Sequence, residues 1–402
     1  MSFHASLVAA ALLSSAMLAS PALGAEPEPQ APAAQKKAWY EKLTLRGYTQ
    51  LRYNRLLETN ANLKCDQCDK SWGDLGGLFL RRARLILSGN VHDRVYIYIQ
   101  PDLATDANGS NHYFQLRDLY ADVALDASKE FRFRLGQSKV PFGWENLQSS
   151  SNRLALDRSD AINSAAPNER DLGVFFYWAP SEIRERFKEL TENNLKGTGD
   201  YGLVGVGFYN GQTANRPEAN NNRHVVARIS YPWKLGDQFV ETGVFGYSGL
   251  YQIASRTGGV TGSASQTDRR MGANLVVYPQ PVGFQLEWNA GQGPEYVASS
   301  NSIRTTNLNG GYVLVNTQLE RWIGQSFMPF VRGHYFHGGK KHELDARSYR
   351  VREYEVGVEW QPVSAFELTA MYTISSRKLS DAAKPGNLQT GNLLRLQAQF
   401  NY

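Results

Sequence analysis

Leu394-Arg395-Leu396-Gln397-Ala398-Gln399-Phe400-Asn401-Tyr402 alternates without a break between apolar and polar residues. Side chains alternate across a strand, so Leu394, Leu396, Ala398, Phe400 and Tyr402 share one face while Arg395, Gln397, Gln399 and Asn401 share the other. The pattern recurs at Glu130 to Val140, where Phe131, Phe133 and Leu135 oppose Arg132, Arg134 and Gly136. It returns at Phe284 to Ala290 and at Phe366 to Ile374. From Leu43 onward, segments of about ten alternating residues are separated by Gly, Asn, Asp and Ser clusters, the pattern of a sheet with lipid on one side and water on the other.

Downstream of Ala25 no apolar stretch reaches about 18 residues, so no membrane-spanning helix is available and any membrane role needs a closed barrel. A content of 42% hydrophobic residues with 36 Gly, 21 Tyr and 18 Phe suits a barrel with aromatic girdles, and a secreted β-sandwich shares part of it. An aromatic residue closing an alternating carboxyl-terminal strand is how outer-membrane barrels end, which favours the barrel. Strands are placed near residues 43–55, 79–91, 95–102, 114–125, 130–140, 170–178, 201–210, 224–232, 239–248, 269–279, 283–292, 310–319, 327–336, 349–360, 366–376 and 392–402. The expected fold is therefore all-β, a 16-stranded antiparallel transmembrane β-barrel. Short periplasmic turns, such as Val91 to Arg94, alternate with long extracellular loops, such as Leu56 to Leu78. One departure is Ala179 to Asp200, long for a periplasmic turn, whose Glu182 to Leu190 run predicts a small amphipathic helix over the periplasmic mouth.

Residues 1–25 contain an apolar run from Ala5 to Ala19 and small residues at Gly24 and Ala25, the layout of a signal peptide, although no Lys or Arg precedes the run. Residues 26–42 read as a periplasmic leader and 43–402 as the barrel, which places the chain in the outer membrane of a Gram-negative bacterium, in contact with its lipid. The formal charge of +5 is unaffected by removing the signal and favours anionic partners. Nucleic acid is not expected among them. Cys65 and Cys68 have no His at the spacing of a zinc site and read as a local disulfide or loop cysteines.

Sixteen strands leave an aqueous lumen, so function depends on its lining. Lipid-facing Ala83, Leu85, Leu87 and Val91 turn Arg82 and Arg84 inward and set Arg81 on the other parity, near the outer rim. The same logic turns Arg132 and Arg134, and Arg46 and Arg52, inward, because an arginine facing lipid near midplane costs about 2–4 kcal/mol. The connection from Pro141 to Glu169 is expected to fold into the barrel. It carries Ser149, Ser150, Ser151, Arg153 and Arg158, hydroxyls and guanidiniums suited to an oxyanion that has shed part of its water.

The chain resembles the phosphate-selective porin family through Phe79-Leu80-Arg81-Arg82-Ala83-Arg84-Leu85, Gln100-Pro101-Asp102, Leu116-Arg117-Asp118-Leu119-Tyr120, Leu135-Gly136-Gln137-Ser138-Lys139-Val140-Pro141-Phe142-Gly143-Trp144-Glu145 and Arg170-Asp171-Leu172-Gly173-Val174. These cover the first half of the barrel; the second half matches by strand pattern. The resemblance implies a passive channel for small anions such as phosphate, a homotrimer, and Arg81, Arg82 and Lys139 in the anion path, with Asp102 weakening retention beside them. Glu353, Glu355 and Glu359 also face the lumen by parity, and weigh against strict anion selectivity.

The alternative within this architecture is a general or other solute-specific diffusion porin without a phosphate filter. A barrel enzyme is not expected: Gly-x-Ser-x-Gly and His-Glu-x-x-His are missing, and His334, His337 and His342 lack triad spacing, the first lining the lumen and the others an exposed loop. Asp102 to Asn111 lacks the distal Glu of a calcium loop. No cofactor is expected.

Overall fold

The computed structural model describes residues 38–56, 77–105, 112–167, 170–320 and 324–402. The expected signal peptide, the leader through residue 37, Cys65, Cys68 and residues 106–111 of the turn compared with a calcium loop lie outside the described residues. A 3-10 turn at Trp39–Lys42 leads into the strands. These are β1 (Leu43–Leu56), β2 (Gly77–His92), β3 (Val95–Thr105), β4 (His112–Ala124), β5 (Phe131–Lys139), β6 (Arg170–Trp178), β7 (Val204–Tyr209) and β8 (His224–Leu235). The second half supplies β9 (Gln238–Gln252), β10 (Ser265–Val277), β11 (Val282–Val297), β12 (Ser302–Thr317), β13 (Ser326–Gly339), β14 (Ser348–Val363), β15 (Phe366–Ser380) and β16 (Asn387–Asn401).

Each strand pairs antiparallel with its neighbours, and β1 pairs with β16, closing the barrel. Closure leaves no sheet edge, the condition for strands to cross a bilayer. Alternation holds along the wall: Phe131, Phe133 and Leu135 of β5 are exposed while Arg132 and Arg134 are buried inside, and on β16 Leu396 and Phe400 are exposed while Arg395, Gln397 and Gln399 are buried.

Two bulges break the alternation where the charge pattern demands it. Gln50 pairs with Arg82 but Leu51 with Leu80, so Arg81 is an extra residue on β2. Strict alternation would set Arg81 on the parity opposite to Arg82. The bulge re-aims it instead, and its Nη2 lies 3.3 Å from Asp157 Oδ1 inside the barrel. On β4, Gln100 pairs with Asp118 and Pro101 with Leu116, leaving Arg117 as the extra residue, so that adjacent Arg117 and Asp118 are both buried. Pro101 has no N–H for the ladder, which suits an interruption there.

The connection from β5 to β6 carries α1 (Trp144–Leu147) and α2 (Asp160–Ala165) and crosses the lumen. Phe142 and Ile162 pack on Phe175, Tyr177, Val226 and Phe245 of the inner wall. Leu154 and Leu156 reach Tyr312, Met328 and Phe330. Three acids of this loop meet bases of the wall: Arg332 Nη1 donates to Glu145 Oε1 at 2.8 Å, Arg377 Nη2 lies 2.9 Å from Asp160 Oδ2, and Arg52 Nη1 donates to Asp157 Oδ2 at 2.8 Å. Arg395 of β16 also pairs with Asp157. The predicted helix between β6 and β7 is α3 (Ser181–Glu192), whose Ile183, Phe187 and Leu190 pack under Trp144 of α1 with Phe239, Val276 and Tyr278.

Burial would raise the Asp157 carboxyl, but the Arg52, Arg395 and Arg81 guanidiniums prevail and hold it well below the usual carboxylate range. Such a group contributes stability above its unfolded pKa of about 4, and the contribution is lost only as pH falls through the lower folded value. Ion conductance through the barrel is therefore expected to stay flat between about pH 7 and pH 4; a rise inside that window would point to a different latch. Asp157→Ala is expected to raise single-channel conductance and current noise, because breaking a buried ion pair costs about 3–5 kcal/mol. Unaltered traces would mean that apolar contacts alone hold the loop.

Candidate functional site

The β5–β6 loop packs against the inner faces of β6 to β9, β12 and β13, and two polar cavities lie beside it. The one toward the rim that carries the end of β16 measures ≈ 1080 Å³ and is lined by Arg46, Tyr48, Tyr98, Tyr120, Lys139, Ser149 and part of α3, among others. The far cavity measures ≈ 230 Å³ and is lined by seven arginines (Arg81, Arg82, Arg84, Arg117, Arg153, Arg158 and Arg216) against three carboxylates (Asp102, Asp157 and Glu343). Ionised, these leave an excess of four positive charges, 7 − 3. His342 also lines it, and burial together with Lys340 and Lys341 pushes that imidazole down to about 3, so it adds no charge at neutral pH.

Arg84 lines the far cavity and reaches Tyr48, which lines the wider one. Its Nη1 donates to Tyr48 Oη at 2.8 Å and to Ser150 Oγ at 3.2 Å, and its Nη2 to Asp102 Oδ2 at 3.2 Å. Arg117 Nε lies 3.9 Å from the same Asp102 oxygen. Arg82 differs from its neighbours: buried between Arg81 and Arg84 in sequence, it has no hydrogen-bond or ion-pair partner among the described residues, and its Nε is unsatisfied. The alternating strand turns it into the far cavity and the adjacent bulge brings Arg81 there too.

Other expected site residues are present but committed. Lys139 Nζ donates to the carbonyls of Leu147 at 2.9 Å and Gln148 at 2.7 Å, securing the end of α1. Arg132 Nη2 donates to Asp200 at 2.7 Å, and Arg134 grips Asp122 through two bonds of 2.7 and 2.8 Å. Arg158 bonds the side-chain oxygens of Asn146 and Asn163, each at 2.6 Å, and so braces the loop internally. Ser149 and Ser151 pair with each other at 2.9 Å. Arg153 lines the far cavity.

The acidic wall is neutralised as well. Glu353 accepts bonds from His334 and Arg377, both at 2.6 Å, Glu355 pairs with Arg332 at 2.5 Å, and Glu359 pairs with Lys196. Asp160, His334 and Glu353 bring ligand atoms within 4.8 Å of one another. Arg377, 2.9 Å from Asp160 and 2.6 Å from Glu353, supplies the positive charge at that point. His334 thus lines the lumen, whereas His337 belongs to β13 and His342 to the far cavity, neither in an exposed loop.

Sequence reasoning missed Arg117 and Arg170, the latter donating twice to Asp118 Oδ2, at 3.0 and 2.8 Å. A signal existed. Two adjacent charged residues inside an alternating strand, Arg81-Arg82 and Arg117-Asp118, leave one of each pair facing lipid unless the strand bulges.

A family model described as phosphate-selective porin O and P matches residues 64–402. Among solved structures, OmpF of Salmonella typhi in complex with daunomycin has a TM-score of 0.57 at 12% identity, covering 91% of this chain and 99% of that one. The outer-membrane channel DcaP of Acinetobacter baumannii has a TM-score of 0.54 at 14% identity, covering 90% and 97%. An anion-selective porin from Comamonas acidovorans has a TM-score of 0.51 at 11% identity, covering 90% and 99%. The comparison with curated proteins finds no match. At these identities the structures share the fold alone, while the family match spans most of the barrel. With a closed sixteen-stranded wall around polar cavities, the chain belongs to the phosphate-selective porin O and P family and is a channel of the Gram-negative outer membrane.

Proposed function

We propose that this channel passes small anions by passive diffusion and that the far cavity is its filter, with phosphate or a related oxyanion as the preferred permeant. The observation that supports this is Arg82, a buried guanidinium without a described partner beside Arg81 and Arg84. A charge-assisted hydrogen bond contributes about 1.5–3 kcal/mol, so two amount to ~3–6 kcal/mol and hold an oxyanion at roughly millimolar affinity or tighter. Four unopposed bonds would double that and slow release. Asp102, in contact with Arg84 and near Arg117, offsets the attraction and lets the ion leave.

Lys139 acts in this reading through the loop carbonyls it holds, and Ser150 through Arg84. Arg132 and Arg134 set the field of the wider cavity. The chain is proposed to form a homotrimer embedded in outer-membrane lipid, which light scattering of the detergent-solubilised protein would report as three times the protomer mass; a monomer mass would refute it.

A general diffusion porin is the second reading, and the commitment of Lys139, Arg132, Arg134 and Arg158 to partners within the chain favours it. The reversal potential in a planar bilayer under a chloride gradient, followed by phosphate titration of the chloride current, separates the two. The filter reading expects strong anion selectivity, block at low phosphate concentration, and a loss of block of roughly tenfold or more in Arg82→Ala, since one charge-assisted bond corresponds to that factor. Lys139→Ala is expected to weaken block and also to raise conductance by loosening the loop. Weak or cation selectivity without block would leave the general porin.

A further inference from the structure

On β13 to β15 the wall turns its charge inward until it nears the rim opposite Tyr402, and there the outward face becomes basic. Tyr349 and Val351 of β14 are buried inside, so Arg350 and Arg352, on the other parity, point away from the lumen, and both are exposed. Lys378 of β15, between the buried Arg377 and Leu379, is exposed on the same outer face. His337 of β13 follows the buried Phe336. Register joins these positions: Arg350 pairs with His337 on one side and with Lys378 on the other, while Arg352 pairs with Tyr335 and Ser376.

Neighbouring strands lie about 4.8 Å apart, and like charges directly opposite each other on a sheet face repel. The acids of this rim are engaged elsewhere. Glu343 and Asp381 pair with Arg347, at 3.4 and 2.6 Å, and Glu295 accepts bonds from Ser348 at 2.6 Å and from Thr306. Arg350, Arg352 and Lys378 make no hydrogen bond or ion pair with another described residue.

Height along the strands identifies what faces them. Toward midplane the same face carries the exposed pair Val331 and Val356, and then exposed Tyr354. Opposite Arg352, Tyr335 stacks on Trp288 with centroids 6.1 Å apart and planes 4° apart. Outward aromatic rings of this kind mark the boundary between hydrocarbon and headgroups. Arg352 is level with that boundary, and Arg350 and Lys378 stand one pleat, about 7 Å along the strand, beyond it.

We propose that Arg350, Arg352 and Lys378 form a docking site for an anionic, phosphate-bearing lipid headgroup, whose oxygens bridge the guanidiniums and the ammonium while its chains lie along Val331 and Val356. The occupant is a lipid because the site opens outward at headgroup height, above an apolar band, and not into the lumen. It is independent of the arginine cavity and of what passes through it.

The test counts, by native mass spectrometry, the lipid retained by the purified channel in non-ionic detergent after incubation with phosphatidic acid or with phosphatidylcholine of the same chains. Each basic residue near an anionic lipid surface contributes roughly a fivefold preference, so retention of phosphatidic acid is expected to exceed that of phosphatidylcholine by roughly tenfold or more. Combining Arg350→Ser, Arg352→Ser and Lys378→Ser is expected to bring the ratio close to one, with single-channel conductance unaltered because none of the three faces the lumen. Arg269→Ser, at an exposed arginine of β10 that donates to Gln292 at 3.0 and 2.6 Å, is expected to keep the ratio. A ratio near one in the unmodified channel, a preference that survives in the triple variant, or an equal loss in Arg269→Ser would overturn the proposal. Release of the lipid by an equal concentration of inorganic phosphate would also overturn it, in favour of a site for free anions. A change of oligomeric mass in the triple variant without a change of the ratio would assign the face to a second copy of this chain instead.

Discussion

Hydrocarbon accepts neither an unpaired backbone amide nor a guanidinium, and that constraint shapes every level of this molecule. It closes sixteen strands into a ring, because an open edge would leave a row of N–H and C=O groups in lipid. It also decides where the register gives way. On β2, Arg81, Arg82 and Arg84 crowd three charges into four residues, which no period of two can place on one face. An arginine facing lipid near midplane costs about 2–4 kcal/mol, while an interrupted ladder bond costs about 1 kcal/mol. The bulge is therefore the lesser cost, and the same comparison applies at Arg117 and Asp118.

Moving all the charge inside creates a second difficulty, since a crowded interior desolvates what it encloses. The β5–β6 loop answers it. Its Glu145, Asp157 and Asp160 reach Arg332, the Arg52 and Arg395 pair, and Arg377 on four strands. Apolar contacts around Phe142 and Leu154 fill the space between these points. Because Arg332, Arg377 and Arg395 are matched by loop acids and by Glu353 and Glu355, and Glu359 by Lys196, that side of the lumen approaches neutrality. The excess positive charge is left at the far cavity, on β2, β4 and the loops beside them.

The strand plan was legible because its physics is local. Each lipid-facing segment writes its own alternation, and all sixteen positions inferred from that pattern overlap an observed strand. The Glu182 to Leu190 helix was legible for the same reason, through its own apolar spacing. What failed concerned relations between distant residues. The parity of Arg81 depends on how β1 pairs with β2, and the commitment of Lys139 depends on where a loop folds back. Glu353 looked like an obstacle to anions because its strand shows its direction but not that His334 and Arg377 meet it. A charge in a lumen is easily recognised in a sequence; whether it is free is a tertiary fact.

That distinction bears on how such a lumen conducts. Arginines pinned by Asp122, Asp118 or Asp200 hold their positions but have their charge largely matched, so they shape the passage more than they bind within it. Arg84 is intermediate, fixed by Tyr48 and Ser150, which carry no compensating charge, and opposed by Asp102. Arg82 lies at the other extreme. A row of uniformly free guanidiniums would bind an oxyanion too tightly to release it, and a row of uniformly paired ones would not draw it out of water. In the proposed filter, gradation along β2 to β4, from free to half-opposed to matched, would give an anion a site to enter and a declining attraction by which to leave.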